Sequence, residues 1–94
     1  MVIGSCTIEL DLPAVHSLKE KRSVLKSMMA RIRHEFNVSI AEVDHQDVWH
    51  TALIGVVTVS NDTAYAHGVL SRVVEWIERN RLDAVLADYQ IEMI

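Results

Sequence analysis

Cysteine, proline, glycine and aromatic residues are all scarce in this chain of 94 residues. The one cysteine, Cys6, cannot form an internal disulfide, which favours a reducing compartment. The three glycines stand far apart, which excludes the glycine-rich loops that hold phosphates in nucleotide-binding proteins. The longest apolar run, 52–59, is too short to span a membrane, and the first residues lack the basic start of a signal peptide. The sequence therefore indicates a cytoplasmic protein that forms one domain over residues 1–94.

Hydrophobic periodicity predicts six elements in the order βαββαβ. The predicted strands cover 2–12, 38–44, 51–60 and 83–94, and the predicted helices cover about 18–35 and 62–80. Ser17 and Glu20 have the spacing of a capping box, and Ser60 or Asn61 is the expected cap of the second helix. We therefore expect an α+β, ferredoxin-like fold with a four-stranded antiparallel sheet in the order 4-1-3-2 and both helices on one face.

The third strand is apolar on both sides, although two helices can cover only one face of the sheet. Leu53, Val57 and Val59 alternate with Ala52, Ile54 and Val56. A strand of this kind favours a second cover, and another copy of the chain is the simplest one. We expect a homodimer with Ile54 and Val56 on the dimer face; the alternative is a few tolerated aliphatic residues at the surface.

Positive charge is concentrated in one segment of an acidic chain. Residues 19–35 hold six Lys or Arg against two Glu, a net charge of +4, whereas the rest of the chain carries −8. On a helical wheel Lys19, Arg22, Lys26 and Arg33 form one outward ridge. The simpler interpretation is a solvated helix face. The alternative is a site for anions such as RNA phosphates, which would contact the backbone rather than the bases because strands 1 and 3 lack aromatic residues.

The stretch DHQDVWH contains residues that could bind a metal, namely Asp44, His45, Asp47 and His50. Their spacing matches no established metal signature, and polar residues of a hairpin commonly pair locally, so we predict no metal and no cofactor. Trp49, an aromatic residue in a polar turn, is expected to pack against its own helix or a partner subunit.

Established catalytic motifs are missing: the sequence has no G-x-S-x-G, no Walker loop and no HExxH. The first loop, PAVHS, also lacks the glycine and arginine that acylphosphatases use there. His16, Lys19 and Asn61 remain candidates to hold an anion near the helix N-termini. We therefore expect a non-catalytic protein, with small-anion binding or acylphosphatase-like activity as alternatives.

Three stretches, HSLKEKRSVLKS, FNVSIAEVDHQDVW and VTVSND, resemble the YlxP-like family, a bacterial domain of unknown function. The resemblance runs from LDLPAVHSLKEKR through strand 3 and weakens after residue 64. It implies a ferredoxin-like fold and small cytoplasmic proteins, often encoded beside translation factors that include a ribosome-binding factor. It carries over no catalytic residue. The matched positions are His16, Ser17, Leu18, Lys19, Glu20, Lys21 and Arg22, and Asp44, His45, Gln46, Asp47 and Trp49.

The two matched motifs have opposite charges, and this suggests a structural role for both. Lys21 in the basic motif could pair with Asp47 in the acidic one, within a subunit or across a dimer. We therefore keep two hypotheses, a non-catalytic homodimeric interaction module associated with RNA or the ribosome, and a pair of motifs that only stabilises the fold.

Overall fold

The computed structural model describes residues 1–80 and 83–94. The elements in chain order are β1 (Val2–Asp11), α1 (Leu18–Glu35), β2 (Ser39–Asp44), β3 (Thr51–Ser60), α2 (Thr63–Asn80) and β4 (Val85–Met93). The α+β class and the order βαββαβ are confirmed. The bounds of α1 and β3 are those predicted, and the other elements differ by one or two residues at an end. Neither α1 nor α2 is long and apolar enough to cross a membrane.

The four strands form one antiparallel sheet in the order β2-β3-β1-β4, which is the order 4-1-3-2 counted from the opposite edge. β1 pairs with β3 along its whole length. β2 and β4 are the edge strands, and the register of each shifts once, at Glu42/Asp44 for β2 and opposite Glu9/Leu10 for β4. The β1–β3 pair is therefore the centre on which both helices pack.

Both helices cover the same face of the sheet and share one hydrophobic core with it. On β1 and β3 the residues of this face are directly opposite one another in the pairing register. The strands contribute Cys6, Ile8, Leu10, Ala52, Ile54 and Val56, and the helices contribute Leu25, Met28, Ile32, Leu70, Val73 and Ile77. The apolar residues whose helical spacing predicted α1 are thus the residues that α1 buries against the sheet.

The predicted dimer face is wrong. Ile54 and Val56 are 0% exposed, because both point toward the helices within a single chain. The opposite side of β3 carries Leu53, Val57 and Val59, of which Val57 is 39% and Val59 58% exposed. Since both sides of this strand are apolar, hydrophobicity alone does not distinguish the inner side from the outer one.

The uncovered face of the sheet has an apolar half and a polar half. On the β2–β3 half, Val43 is exposed and lies over Gly55, where an added Cβ would come within 2.9 Å of it. Val57 and Val59 continue this apolar area along β3. The β1–β4 half is formed by paired polar residues, Ser5 with Glu92, Thr7 with Gln90 and Glu9 with Asp88.

Helix α1 begins at the predicted cap. Ser17 Oγ accepts a hydrogen bond from the backbone N–H of Glu20 at 3.1 Å. The Glu20 carboxylate accepts one from the N–H of His16 at 3.0 Å, so the returning bond of the capping box reaches one residue before the cap. These bonds fix the point at which the chain enters α1.

Helix α2 is capped by Asp62 rather than by Ser60 or Asn61. Asp62 Oδ2 accepts a hydrogen bond from the N–H of Tyr65 at 3.0 Å. Ser60 Oγ accepts one from the N–H of Asp62 at 3.1 Å and thereby shapes the turn before the helix. All of these residue types are good caps, so sequence alone leaves the choice open by one or two positions.

Candidate functional site

The start of α1 and the loop 45–50 between β2 and β3 are distant in sequence and meet at one end of the sheet. They are joined by Lys21, whose side chain is 1% exposed. Its Nζ lies 2.7 Å from Glu42 Oε2 and 2.5 Å from each of the backbone carbonyl oxygens of His45 and Val48. Two of the three N–H donors of this ammonium group bind carbonyls, and the group lies beside the Glu42 carboxylate as an ion pair. The positive charge of Lys21 is therefore used inside the protein.

Glu42 provides the opposite charge from strand β2. Its Oε2 atom is buried and accepts no hydrogen bond within residues 1–80 and 83–94, so the ion pair with Lys21 is its compensation for lost hydration. Removing one partner of such a pair leaves the other buried and uncompensated, at a cost of about 3–5 kcal/mol. The pair therefore couples α1 to β2.

The prediction that Lys21 pairs with Asp47 names the wrong partner. The lysine pairs with Glu42, and Asp47 lies on the exposed side of the loop. The two motifs do contact each other, but the acceptors in the loop are backbone carbonyls and not its carboxylates. The contact therefore depends on the shape of the loop more than on its charge.

Local hydrogen bonds give the loop its shape. Asp44 Oδ1 accepts from the N–H of His45 at 2.8 Å, and the N–H of Val48 donates to the carbonyl of His45 at 3.0 Å. His45 has a φ of 63°, in the left-handed region that His adopts more readily than β-branched residues do. The turn thus directs two carbonyls toward Lys21.

A groove of about 510 Å³ lies between this loop and the start of α1. Its lining is formed by Ser17, Leu18, Asp47, Val48, Trp49 and His50. Trp49 is 41% exposed, and the His50 ring packs edge-on against it with ring centroids 5.1 Å apart. Trp49 therefore packs within its own chain on one side and presents ring surface on the other.

Three basic residues form a line on the outer side of α1. Lys19, Arg22 and Lys26 are all exposed, and no ion pair involves them among the residues that the structure describes. Their spacing of three and four residues places them along one face, over about 10 Å at the helical rise. We call these three residues the basic line.

The other basic residues of α1 are used within the fold. Arg33, predicted to belong to the ridge, donates from Nη2 to the backbone carbonyl of Ile40 at 2.9 Å. The guanidinium carbon of Arg31 lies 5.1 Å from the ring centroid of Trp76, as in a cation–π contact. Trp76 is only 8% exposed and belongs to the hydrophobic core.

The position of Arg33 explains one feature of the edge strand β2. The N–H of Leu12 donates to the carbonyl of His50, so these two opposite residues are hydrogen-bonded to each other. Every second pair along an antiparallel ladder is hydrogen-bonded, and Val56, six residues after His50, therefore also directs its N–H and C=O toward β1. Ile40, which pairs with Val56 on the other side, must direct its own carbonyl to the open edge. Arg33 covers that carbonyl and so protects the edge from pairing with another strand.

Two of the four residues considered as metal ligands have other contacts. Asp44 accepts the hydrogen bond from its neighbour His45, and His50 packs on Trp49. Across residues 1–80 and 83–94, no three His, Cys, Asp or Glu side chains are close enough together to hold a metal ion.

The candidate anion positions near the helix N-termini are close to negative charges. The N–H of His16 is already bound by the Glu20 carboxylate at the start of α1. Asn61 precedes Asp62, whose carboxylate caps α2. A second anion at either end would be repelled by these carboxylates, which disfavours the small-anion alternative there.

Cys6 has the properties of a core residue. Its side chain is 2% exposed. Burial raises the pKa of the Cys6 thiol to about 11, and the hydrogen bond from the backbone of Gln90 lowers that pKa only in part. A thiol of this kind is protonated at neutral pH and is a poor nucleophile.

Sequence reasoning missed the role of Glu42 and gave Lys21 a different partner, although a signal for both was present. Lys21 lies four residues before Leu25, on the apolar stripe of α1. Glu42 lies two residues after Ile40, on the inner side of β2. Opposite charges at two positions that the periodicity assigns to the core are the signature of a buried ion pair.

The family model described as "Protein of unknown function (DUF503)" matches residues 3–91. The chain belongs to that family. Among its relatives is the "Uncharacterized protein YlxP" of Bacillus subtilis (strain 168), which is 38% identical over 77 residues, covering 82% of this chain and 84% of that protein. The resemblance to the YlxP-like family is thereby confirmed. The DUF503 match also extends well past residue 64, where the resemblance of the quoted motifs weakens.

Proposed function

We propose that this DUF503 protein is a non-catalytic interaction module that binds the phosphate backbone of RNA, ribosomal RNA included, through Lys19, Arg22 and Lys26. The observation that carries the proposal is that the basic residues of α1 fall into two groups, one bound to internal acceptors and one exposed. Lys21 and Arg33 satisfy internal acceptors, and the basic line stays exposed and separate from them. A row of cations that folding does not use, on an otherwise acidic protein, favours an anionic polymer as partner.

The geometry favours contacts to phosphates over direct contacts to base edges. The basic line lies on a helix, and its members follow one direction over about 10 Å. Neighbouring phosphates of one strand can therefore be contacted in turn, with Lys as a point charge and Arg as a fork of donors. Such contacts depend strongly on salt and weakly on base sequence.

Charge reversal with a matched control tests the proposal. Binding of a fluorescein-labelled single-stranded RNA decamer is measured by anisotropy at low salt. The variant Lys19→Glu/Arg22→Glu is expected to bind at least about tenfold more weakly than the wild type. The control Arg72→Glu/Arg79→Glu changes the net charge equally but on α2, and its affinity is expected to stay close to that of the wild type. Equal losses in both variants, or no binding by the wild type, would refute the proposal.

We also propose that the protein works as a homodimer that uses the apolar half of the uncovered sheet face. Val43, Val57 and Val59 support this surface because they are exposed valines on neighbouring strands, 53%, 39% and 58% respectively. An isologous interface would pair this area with itself and remove it from water. The basic line belongs to a helix on the other side of the sheet, so the dimer would leave it free for RNA.

Light scattering coupled to gel filtration tests the dimer. The wild type is expected to have twice the mass of the 10.6 kDa chain at micromolar concentration. Val57→Glu/Val59→Glu should then be monomeric and still folded. Tyr65→Glu, at a residue 59% exposed on α2, serves as the control and should stay dimeric. A wild type with the mass of one chain rules the dimer out.

A further inference from the structure

Trp49 is one of three exposed aromatic residues in the described part of the chain, together with Tyr65 and Tyr89. It is 41% exposed and lines the groove between the loop 45–50 and α1, with the edge of the His50 ring fixing it from one side. Large aromatic surfaces left in water at a concave position are typical of binding sites.

The loop that carries Trp49 is held in place from below. Lys21 binds the carbonyls of His45 and Val48, the second of which immediately precedes Trp49. The N–H of Leu12 fixes the other end of the loop through the carbonyl of His50 at 2.7 Å. A ring on an anchored backbone loses little conformational freedom on binding, which favours affinity.

The groove and the basic line meet at the start of α1, because Leu18 lines the groove and is followed directly by the first residue of the basic line. Lys19 is that residue, and Arg22 lies one turn further along the exposed side of α1. A strand whose phosphates follow the basic line therefore passes the mouth of the groove. Asp47 at the groove accepts hydrogen bonds and repels phosphate, so what enters should be the donor-bearing, uncharged part of a nucleotide.

We propose that the groove takes an unpaired base of the bound RNA, which stacks on Trp49 while Lys19 and Arg22 hold the adjoining phosphates. This inference rests on the proposed function and adds a base contact to it. Stacking of a base on an aromatic ring tolerates every base, because each base has a flat π surface. It requires a single strand, since bases within an A-form duplex are not accessible in this way.

Two probes of equal length and charge separate the contact to the base from the contact to phosphate. One is a fluorescein-labelled single-stranded RNA decamer, and the other is a decamer of abasic ribose phosphates with the same label. Trp49→Ala is expected to bind the RNA about tenfold more weakly than the wild type does. The same variant should bind the abasic probe with the affinity of the wild type. Trp49→Phe should restore most of the affinity for RNA, because a phenyl ring can still stack.

Tyr65→Ala is the control, since it removes another exposed aromatic residue, on α2, and is expected to change neither affinity. Each variant is compared with the wild type by thermal unfolding, so that loss of folded protein is not mistaken for loss of a contact. The inference is overturned if Trp49→Ala binds both probes like the wild type. It is equally overturned if Trp49→Ala loses the same factor of affinity for both probes, because Trp49 would then only support the loop.

Failure of the proposed function would look different in the same experiment. Lys19→Glu/Arg22→Glu is expected to weaken the binding of both probes, since both carry phosphates. If that variant binds both probes like the wild type, the basic line is not the phosphate site, whatever Trp49→Ala does. If Lys19→Glu/Arg22→Glu weakens the binding of both probes while Trp49→Ala weakens the binding of neither, the proposed phosphate contacts are supported and the base contact is refuted.

Discussion

Lys21 Nζ and Glu42 Oε2 lie 2.7 Å apart in the interior of the protein and join helix α1 to the edge strand β2. The same ammonium group binds two carbonyls of the loop 45–50. One lysine in a run of basic residues is thus structural, while Lys19 and Arg22 on either side of it are exposed. A buried structural lysine and two exposed basic residues therefore lie within a single helical turn.

Replacing Lys21 with Met should be strongly destabilising. The apolar side chain fills a similar volume but leaves Glu42 Oε2 buried without its counter-charge and the Val48 carbonyl without its lysine donor. The expected cost is about 3–5 kcal/mol. Urea unfolding followed by circular dichroism measures this change. Lys26→Met, at an exposed position of the same helix, is the control and should change stability by less than about 0.5 kcal/mol. Equal stabilities of the two variants would contradict the buried ion pair.

A charge-swap cycle identifies the partner of Lys21. Lys21→Glu/Glu42→Lys restores opposite charges in the pair. Its loss of unfolding free energy should therefore be smaller, by at least about 1 kcal/mol, than the sum of the losses in the two single variants. Lys21→Glu/Asp47→Lys should show no such coupling, because Asp47 is exposed on the loop. Both cycles are measured by urea unfolding. A coupling with Asp47 larger than that with Glu42 would show that the pair has been assigned wrongly.

The elements of this fold were predictable because their signals are local. Period-two alternation in 2–12 and the apolar stripe of α1 each arise from residues that bury one side of a single element. The capping box of Ser17 and Glu20 was predictable for the same reason. The choice among several capping residues before α2 was not, since it depends on the exact path of a turn.

The inner side of β3 and the partners of buried charges depend on contacts between elements. Ile54 is buried because it pairs with Ile8 on the helix-covered side of β1, and no pattern within β3 contains that information. Lys21 was correctly linked to the hairpin that follows, and it binds there the carbonyls of His45 and Val48, which carry no sequence signal. Only the geometry of the loop assigns them.

The two sides of β3 should respond differently to truncation. Ile54→Ala removes core volume and is expected to lower the free energy of unfolding by about 2–5 kcal/mol. Val59→Ala, at a residue 58% exposed, should lower it by less than about 0.5 kcal/mol in the monomer. Urea unfolding at low protein concentration compares the two. A larger effect at Val59 would mean that the faces of the sheet have been exchanged.

Cys6 should make the protein less stable at high pH. Its folded pKa is raised from 9.0 to about 11 by burial, so the thiol ionises more readily in the unfolded chain. Stability from this group is fully present below pH 9, and it is lost as pH rises from 9.0 toward about 11. Chemical denaturation as a function of pH measures the loss, and Cys6→Ala should show a smaller loss over the same range. Identical pH dependences would contradict the shift.

The salt dependence of RNA binding tests the central claim most directly. Each phosphate contact contributes about −0.7 to the slope of the log association constant against log salt for a single strand, so three contacts predict a slope of about −2. Neutralising Lys19, Arg22 and Lys26 to Gln should bring the slope close to zero. A wild-type slope that the triple variant retains, or a wild type that binds no RNA at low salt, would contradict the account.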